Sequence, residues 1–265
     1  MTDRLAGILL NPPDPSIDPE RVKPVNPPDN AKGQNQNAAS AHVPAGRPLA
    51  VFCDFDGTFS VQDVGSTLAQ ARLPERRAQL WDRFGQGEFT AWTYVLALFK
   101  DFELPEKELY EFLETIDLDP GARDLLAWCK AETVPFRILS DGFDWNLERM
   151  QAINEVSFEY NANHLEYEGD IWRLAAGAPN DACGCGTGSC KRTLIGAYRE
   201  KHPGTFCVHI GNGKVSDLCG AIEADLAFAK DTLAPAMDEL GEAYVAFDTL
   251  HDVLAVLGKR GGTAQ

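Results

Sequence analysis

The spacing of hydrophobic and polar positions changes along the chain at about residue 49. From there on, short apolar runs alternate with stretches in which apolar residues recur every three or four positions. These two patterns are typical of buried strands and of amphipathic helices. The predicted strands are 49–55, 135–139, 156–160, 205–210 and 225–228, with a hairpin over 164–174. The predicted helices are 119–132, 144–153, 191–201, 232–240 and 249–257, with a short one after Ser216. This alternation favours an α/β fold built on a parallel sheet.

Residues 63–117 interrupt the alternation of strands and helices. Their apolar positions, such as Trp92, Val95 and Phe99, follow helical spacing over some sixty residues without a strand pattern. We therefore predict a helical insert over 63–117 that lies above the sheet edge as a cap. The α/β core then consists of residues 49–62 and 118–258.

The first 48 residues differ in composition from the rest of the chain. They contain nine of the sixteen prolines and no aromatic residue. Such a segment cannot bury enough apolar surface to offset its ordering entropy, so we predict a disordered tail over 1–48. Docking of this tail to a partner or to the domain's own surface is the alternative. Residues 259–265 are predicted to be a flexible C-terminus.

Two carboxylates follow the first predicted strand. Asp54 and Asp56 are one residue apart at its carboxyl end, directly before Gly57. Alternate strand residues point to one side, and open α/β sheets bind ligands at this edge. Two like charges held that close repel each other unless a cation lies between them, which indicates a divalent metal, with Mg²⁺ the first choice. The alternative for an isolated Asp-x-Asp pair is a strand that ends in a polar turn.

Three later segments place polar groups at further strand or helix ends. Ser140, Asp141 and Gly142 follow the second predicted strand, and their hydroxyl and backbone N–H groups suit a phosphate. Lys191 opens a helix after a glycine-rich loop, where its ammonium and the helix N-terminus can face an anion. The third strand ends in a segment whose amide and carboxylate suit a hard cation; these are Asn212 and Asp217. Singly, each segment could be a capping turn or a solvated helix end, but together they favour an active site.

The charge and length narrow the class of function. The chain has 265 residues and a formal net charge of −16, which argues against a nucleic-acid or anionic-membrane surface. An anionic small molecule remains compatible, because a local cluster of metal, lysine and backbone N–H groups can override the global field. No run of eighteen apolar residues and no secretory leader are found, so a cytoplasmic location is expected. The oligomeric state is left open.

These motifs, in this order, resemble those of the haloacid dehalogenase-like phosphatases, over residues 50 to about 257. The resemblance implies a Rossmann-like core, Mg²⁺ as cofactor and a small phosphomonoester substrate. By resemblance, Asp54 would be the nucleophile that forms an aspartyl-phosphate and Asp56 the general acid and base. The phosphate and substrate ligands would be Thr58, Asp63, Ser140, Asp141, Gly142 and Lys191. The metal ligands would be Asp54, Asp56, Asn212 and Asp217.

The position of the insert resembles the phosphoserine-phosphatase branch, in which an acidic residue nine positions after the nucleophile, here Asp63, faces the substrate. Local segments such as Cys190-Lys191 are similar to those of 2-hydroxy-3-keto-5-methylthiopentenyl-1-phosphate phosphatases of methionine salvage and of phosphoethanolamine/phosphocholine phosphatases. Asn212 departs from the family's usual aspartate and removes one negative charge. A catalytically weak phospho-ligand-binding protein is therefore the alternative function, and phosphoserine the alternative substrate.

Seven cysteines in a chain without an export signal are expected to be reduced thiols or metal ligands. Three of them, Cys183, Cys185 and Cys190, are close in sequence, but their spacing differs from the usual paired zinc knuckles. A zinc site would need a fourth ligand from elsewhere, such as Cys207, Cys219 or a histidine. We favour a flexible reduced loop beside Lys191 over a structural metal. His209 lies inside a predicted strand and is expected to be a core histidine with satisfied hydrogen bonds.

Overall fold

The computed structural model describes residues 43–44 and 46–261. The predicted tail lies outside the described residues except for 43, 44 and 46–48, and so do the last four residues of the predicted C-terminus. The strands are β1 Leu49–Cys53, β2 Phe136–Phe143, β3 Glu159–Glu168, β4 Ile171–Ala175, β5 Phe206–Gly211, β6 Leu226–Ala229 and β7 Val245–Ala246. The helices are α1 Val64–Arg72, α2 Pro74–Gly85, α3 Ala91–Leu98, α4 Glu106–Leu113, α5 Ala122–Ala131, α6 Asp144–Asn154, α7 Lys191–Lys201, α8 Leu218–Glu223, α9 Leu233–Leu240 and α10 Leu250–Leu257.

The seven strands form one sheet in the order β4-β3-β2-β1-β5-β6-β7. All neighbouring pairs are parallel except β3 and β4, which form an antiparallel hairpin. β1 lies at the centre, and strand order reverses beside it, because β2 and β5 flank it on opposite sides. Ligands bind at such a switch point in open α/β sheets. The predicted α/β, Rossmann-like class is confirmed.

The central strand is buried on both faces, as its uninterrupted apolar sequence requires. Val51 and Cys53 face the main core, to which α5 and α10 contribute Leu125, Leu250 and Val253. Ala50 and Phe52 face the opposite layer, where α7 contributes Ile195. The aromatic ring of Phe52 packs edge-on against that of Tyr198 at a centroid distance of 5.1 Å. β1 is thereby held rigidly, and so is the residue that follows it, Asp54.

Helices α1 to α4 lie between residues 64 and 113, inside the interval 63–117 that was predicted as a helical insert. The two ends of this interval meet, because Val61 N–H donates to Asp117 O at 2.8 Å and Asp119 N–H donates to Phe59 O at 2.9 Å. An insert whose ends are joined in this way leaves the strand order of the sheet undisturbed. None of the helices in the described part of the chain is both long and apolar enough to cross a membrane.

Several element boundaries differ from those predicted. β3 is a single ten-residue strand, whereas the sequence predicted a strand over 156–160 and a separate hairpin arm from His164. Asn163 lies within this strand, where it is fully buried and hydrogen-bonded, so an asparagine here is compatible with the sheet. β2 continues to Phe143, beyond the predicted end at Leu139. The two-residue strand β7 was not predicted, because so short a run has no periodicity.

Candidate active site

A cavity of about 390 Å³ opens at the carboxyl edge of the sheet, beside the end of β1. Its polar end is lined by the turns that follow β1 and β5 and by the last residues of β2, and its other end by residues of the insert. The sequence-predicted residues in its wall are Asp54, Asp56, Asp63, Asp141, Gly142 and Asn212. The remaining wall residues include Ser66, Arg77, Trp81, Tyr94, Val95, Leu98, Phe99 and Phe143.

Asp54 follows β1 directly, and only 3% of its surface is exposed. Its Oδ1 accepts a hydrogen bond from Lys191 Nζ at 2.5 Å. Lys191 begins α7 and is fully buried, and its ammonium also donates to Asp217 Oδ1. The structure therefore brings together Asp54 and Lys191, which are 137 positions apart in sequence.

Asp217 is turned away from the cavity. Its Oδ1 accepts from Lys191 and faces His209 Nε2 at 3.1 Å, while its Oδ2 accepts from the backbone N–H groups of Asn212 and Gly213. With both oxygens engaged, Asp217 holds the lysine. This geometry differs from the predicted role of a direct metal ligand, for which an oxygen would have to face the cavity. The sequence could not distinguish the two roles, because both need a carboxylate at this loop.

The buried cluster formed by Asp54, Lys191 and Asp217 contains two acids and one base. Burial alone would lower the pKa of Lys191, but the two carboxylates raise it above its ordinary value. Burial, and then the charge of Asp217, raises the pKa of Asp54, although Lys191 opposes this. Burial also acts to raise the pKa of Asp217, but Lys191 and His209 outweigh it and the pKa falls. Because the charges of Asp217 and Lys191 offset each other, a cation in the cavity beside Asp54 would favour the ionised form of that carboxyl group.

Asp56 lies in the tight turn after β1, where Gly57 has a φ of +80°. Its Oδ1 accepts from the Val64 N–H at 2.9 Å and its Oδ2 from the Ser140 hydroxyl at 3.2 Å. Burial first, and then the charge of Asp63, raises the pKa of Asp56 to about 7. A carboxyl group with that pKa can both donate and accept a proton near neutral pH.

Asp63 is the N-cap of α1, and its Oδ1 accepts from the Ser66 N–H at 2.6 Å. Its side chain also lines the cavity, as does Arg77, whose charge acts on it. Burial raises the pKa of Asp63, while the Ser66 hydrogen bond and the Arg77 charge lower it. Asp63 therefore has two roles, a helix cap and an acidic group in the cavity wall.

Three of the predicted phosphate ligands lie at the polar end of the cavity or behind it. Ser140 is fully buried, and its hydroxyl accepts from the Gly142 N–H at 2.9 Å. Thr58 is also fully buried, and its hydroxyl has no hydrogen-bond partner among the described residues. Asp141 Oδ1 accepts from Asn163 Nδ2 and from the Ser189 N–H, both at 3.0 Å. Asp141 thus joins the end of β2 to β3 and to the loop before α7.

Asn212 follows β5 and faces the turn after β1. A Cβ atom at position 57 would approach Asn212 Nδ2 to 2.4 Å, so this turn needs glycine for space as well as for its φ. Asn212 Nδ2 lies 3.5 Å from Asp231 Oδ2, an acid that the sequence analysis missed. Asp231 lies two residues after the end of β6, and its place shortly after a predicted strand was the signal that could have found it. Arg77 and Tyr94 were also missed, since they lie in the insert without a motif.

His209 is fully buried in β5, and burial lowers its pKa. Its Nε2 lies 3.1 Å from Asp217 Oδ1, but its Nδ1 has no partner among the described residues. The neutral ring therefore donates its Nε2 proton to Asp217. His209 is thus a core histidine, as expected, but only one of its two ring nitrogens has a hydrogen-bond partner in the described part of the chain. Through that nitrogen it helps to hold Asp217 in place.

Comparison with known proteins shows to which family this chain belongs. The model of the haloacid dehalogenase-like hydrolase family matches residues 51–221, and the chain belongs to this family. The match includes Asp54, Asp56, Ser140, Lys191 and Asp217. The prediction of an enzyme, a phosphatase of this type, is confirmed by the family match and by the names of its relatives.

Two curated relatives carry the same name, 2-hydroxy-3-keto-5-methylthiopentenyl-1-phosphate phosphatase. The protein of Brevibacillus brevis is 29% identical over 220 residues, which are 80% of this chain and 96% of the relative. The protein of Bacillus mycoides is 26% identical over 212 residues, or 79% and 95% of the two chains. The chain therefore spans nearly the full length of both relatives.

Among solved structures, the fold is similar to that of phosphoserine phosphatases. A phospho-aspartyl intermediate analogue of phosphoserine phosphatase superposes with a TM-score of 0.60 at 15% identity, covering 79% of this chain and 98% of that one. A probable phosphoserine phosphatase of Vibrio cholerae gives a TM-score of 0.62 at 21% identity, covering 82% and 67%. At these identities the likeness establishes the fold.

Proposed function

We propose that this protein is a Mg²⁺-dependent phosphomonoesterase that acts on a small phosphorylated metabolite through an aspartyl-phosphate at Asp54. One observation carries the proposal: the Asp54 carboxylate faces a closed-in cavity with Lys191 behind it and Asp56 beside it. A carboxylate in this position can attack phosphorus, because Lys191 fixes its orientation. In the first step an Asp54 oxygen bonds to phosphorus and the alcohol leaves.

Asp56 supplies the proton in that step. With a pKa of about 7 it holds a proton for part of the time at neutral pH, and it can pass this proton to the departing alkoxide. In the second step the ionised Asp56 takes a proton from water, which attacks the aspartyl-phosphate and releases inorganic phosphate. The hydrogen bond from the Ser140 hydroxyl to Asp56 Oδ2 supports this orientation of the acid.

The oxygen ligands at the polar end of the cavity fit Mg²⁺. The Asp54 carboxylate, the Asp56 backbone carbonyl and the Asn212 side-chain oxygen would supply hard oxygen donors, and Asp231 adds a carboxylate next to Asn212. A cation bound there would also offset the charge of the ionised Asp54 carboxylate. When bound, Mg²⁺ would neutralise the phosphate and polarise its oxygens.

The insert side of the cavity supports a substrate with an apolar body. Val95, Leu98 and Phe99 line it together with Phe143 from β2, whereas the phosphate end is polar. This fits 2-hydroxy-3-keto-5-methylthiopentenyl-1-phosphate, the substrate in the names of the curated relatives, and so a role in methionine salvage. We propose that the insert acts as the cap that selects this leaving group.

Phosphoserine is the second candidate substrate. Asp63 and Arg77 lie together in the cavity wall, and an acid beside a base can bind an ammonium and a carboxylate. A weak phospho-ligand-binding protein is the alternative function, and it rests on Asn212 in place of an acidic ligand. All three proposals are distinguished by one set of assays.

The experiment is a phosphate-release panel with Mg²⁺ on the purified chain. The substrates are the methylthiopentenyl phosphate, phosphoserine, phosphoethanolamine, phosphocholine and sugar phosphates. We expect the first to give the highest kcat/KM, and Asp54→Asn to abolish turnover. Asp124→Asn, a surface change on α5, is the matched control and should retain activity. Binding of a phosphomonoester without turnover would support the binding-protein alternative, and Mg²⁺-dependent turnover by Asp54→Asn would exclude covalent catalysis.

A further inference from the structure

Four cysteine sulfurs meet at one point beside the N-terminus of α7. The Sγ atoms of Cys183, Cys185, Cys190 and Cys219 all lie within 4.8 Å of one another, and all four cysteines are free. Three come from the loop before α7 and the fourth from α8. Cys190 and Cys219 are buried, and the two others are partly exposed. The group lies outside the cavity, and none of the steps proposed for hydrolysis uses it.

The distances between the four sulfurs are compatible with a tetrahedral metal site. Zinc binds thiolate sulfur at about 2.3 Å, so the sulfurs of a four-cysteine site are roughly 3.8 Å apart. Four sulfurs that all lie within 4.8 Å of one another need only a small contraction to reach that geometry. A disulfide or an apolar contact brings only two cysteines together. Neither explains why four free thiols converge on one point.

A polar group and two left-handed glycines shape the loop around this cluster. The Thr187 hydroxyl lies 3.2 Å from Cys185 Sγ. Gly184 and Gly186 have φ values of +73° and +67°, and these left-handed residues turn the loop so that its cysteines point inward.

We propose that Cys183, Cys185, Cys190 and Cys219 bind one structural Zn²⁺. Four Zn–S bonds form, the four thiol protons leave to solvent, and no group changes its oxidation state. Because all four positions are taken by protein, no coordination position is left for water or substrate, so the site is structural. This goes beyond the proposed function, which places a different metal at Asp54 and Asp56.

The consequence of such a site is that the zinc would fix the loop that leads into Lys191, the first residue of α7. Cys190 directly precedes Lys191, and Ser189 donates its N–H to Asp141 at the phosphate end of the cavity. In the same loop, Gly186 O accepts from the Trp92 N–H of the insert at 2.8 Å. Cys219 lies in α8, the helix that begins directly after Asp217. The metal would therefore join both halves of the cluster that holds Asp54.

The first test is the zinc content of the full chain, purified after expression with zinc and without chelators. We expect one equivalent of zinc per chain by inductively coupled plasma mass spectrometry. Cys183→Ser and Cys219→Ser should each lose most of it, although they lie on different elements. Cys207→Ala and Cys129→Ala remove thiols outside the cluster and should keep the full equivalent. Wild type that holds no zinc after incubation with it, or loss that is equal in the control variants, would overturn the proposal.

The second test needs no variant and no enzyme activity. Replacing the metal by Co²⁺ should produce the visible ligand-field bands and sulfur-to-metal charge-transfer bands of a tetrahedral tetrathiolate. A Co²⁺ spectrum of octahedral oxygen coordination would assign the bound metal to the Asp54 cavity and reject the cysteine site. Disulfides found between the four cysteines in freshly purified, unreduced protein would also reject it. Zinc content is independent of turnover, so failure of the phosphatase assay leaves this test intact.

Discussion

Asp217 holds the ammonium of Lys191 where solvent does not reach, since both side chains are fully buried. The lysine in turn donates to Asp54, the residue that faces the cavity. His209 and two backbone amides engage the rest of the Asp217 carboxylate. The nucleophile is thus positioned by a chain of charge-assisted hydrogen bonds that ends in the loop after β5.

The substitution Asp217→Asn tests this series of hydrogen bonds. The change leaves Lys191 with a single carboxylate, and removal of one partner from a buried pair costs about 3–5 kcal/mol. We expect a lower urea midpoint and a fall in kcat that exceeds any change in KM. Asp124→Asn breaks an exposed pair with His251 and should cost under about 1 kcal/mol. If Asp217→Asn kept full stability and kcat but needed far more Mg²⁺, Asp217 would be a metal ligand instead.

Asp63 can be tested by a pair of substitutions, because it caps α1 and lines the cavity. Asp63→Asn keeps a capping side chain but removes the charge, whereas Asp63→Ala removes both. We expect Asp63→Ala to be less stable than Asp63→Asn by about 1 kcal/mol. Both should raise KM for a substrate with an amine or hydroxyl, with little effect on a small aryl phosphate. Equal losses on both substrates would assign Asp63 to the fold alone.

Substitutions at Asn212 and Asp231 should change the Mg²⁺ concentration needed for activity in opposite directions. Asn212→Asp adds a charge at the cavity and should lower the Mg²⁺ concentration for half activity several-fold, if one contact of about 1–2 kcal/mol is gained. Asp231→Asn removes the neighbouring charge and should raise that concentration. Titration of activity with Mg²⁺ measures both. No shift in either variant would show that this edge of the cavity does not hold the metal.

The raised pKa of Asp56 predicts that the stability of the metal-free protein depends on pH. Its pKa rises from an ordinary 3.8 to about 7 on folding, so between these values the folded chain binds a proton that the unfolded chain has lost. The free energy of unfolding should therefore fall as pH rises through this range. Urea unfolding in EDTA should show a smaller fall for Asp56→Asn than for wild type. Identical pH profiles would refute the raised pKa.

The N-terminal boundary can be located by two truncations. Val43 is buried in the main core, and Arg47 donates to Gly204 O and Thr205 O at 3.1 and 3.3 Å. Deletion of 1–42 should leave the melting temperature and turnover unchanged. Deletion of 1–47 should lower the melting temperature, because burial of a valine alone contributes about 1.5–3 kcal/mol. A large loss from the shorter deletion would show that the predicted tail stabilises the domain.

Local patterns in the sequence were enough to predict the parallel sheet and the start of α7 at Lys191. A strand that is buried on both faces needs a continuous apolar run. The apolar run before Asp54 fits such a strand. The polar residues at or after the carboxyl ends of β1, β2 and β5 were also predictable as a group, because parallel strands must place these ends at one edge. The predicted active-site residues follow from this rule and from the resemblance to the family.

Only the tertiary structure decided what each polar side chain faces. Asp217 turns toward Lys191 and away from the cavity, and Asp231 reaches Asn212 from a different strand. Cys219 completes a four-sulfur cluster whose other members are some thirty residues earlier in the chain. Sequence spacing sets which residues share a strand or a helix face. Contacts between elements depend on how helices pack on the sheet, and that packing is fixed by the summed burial of the whole core.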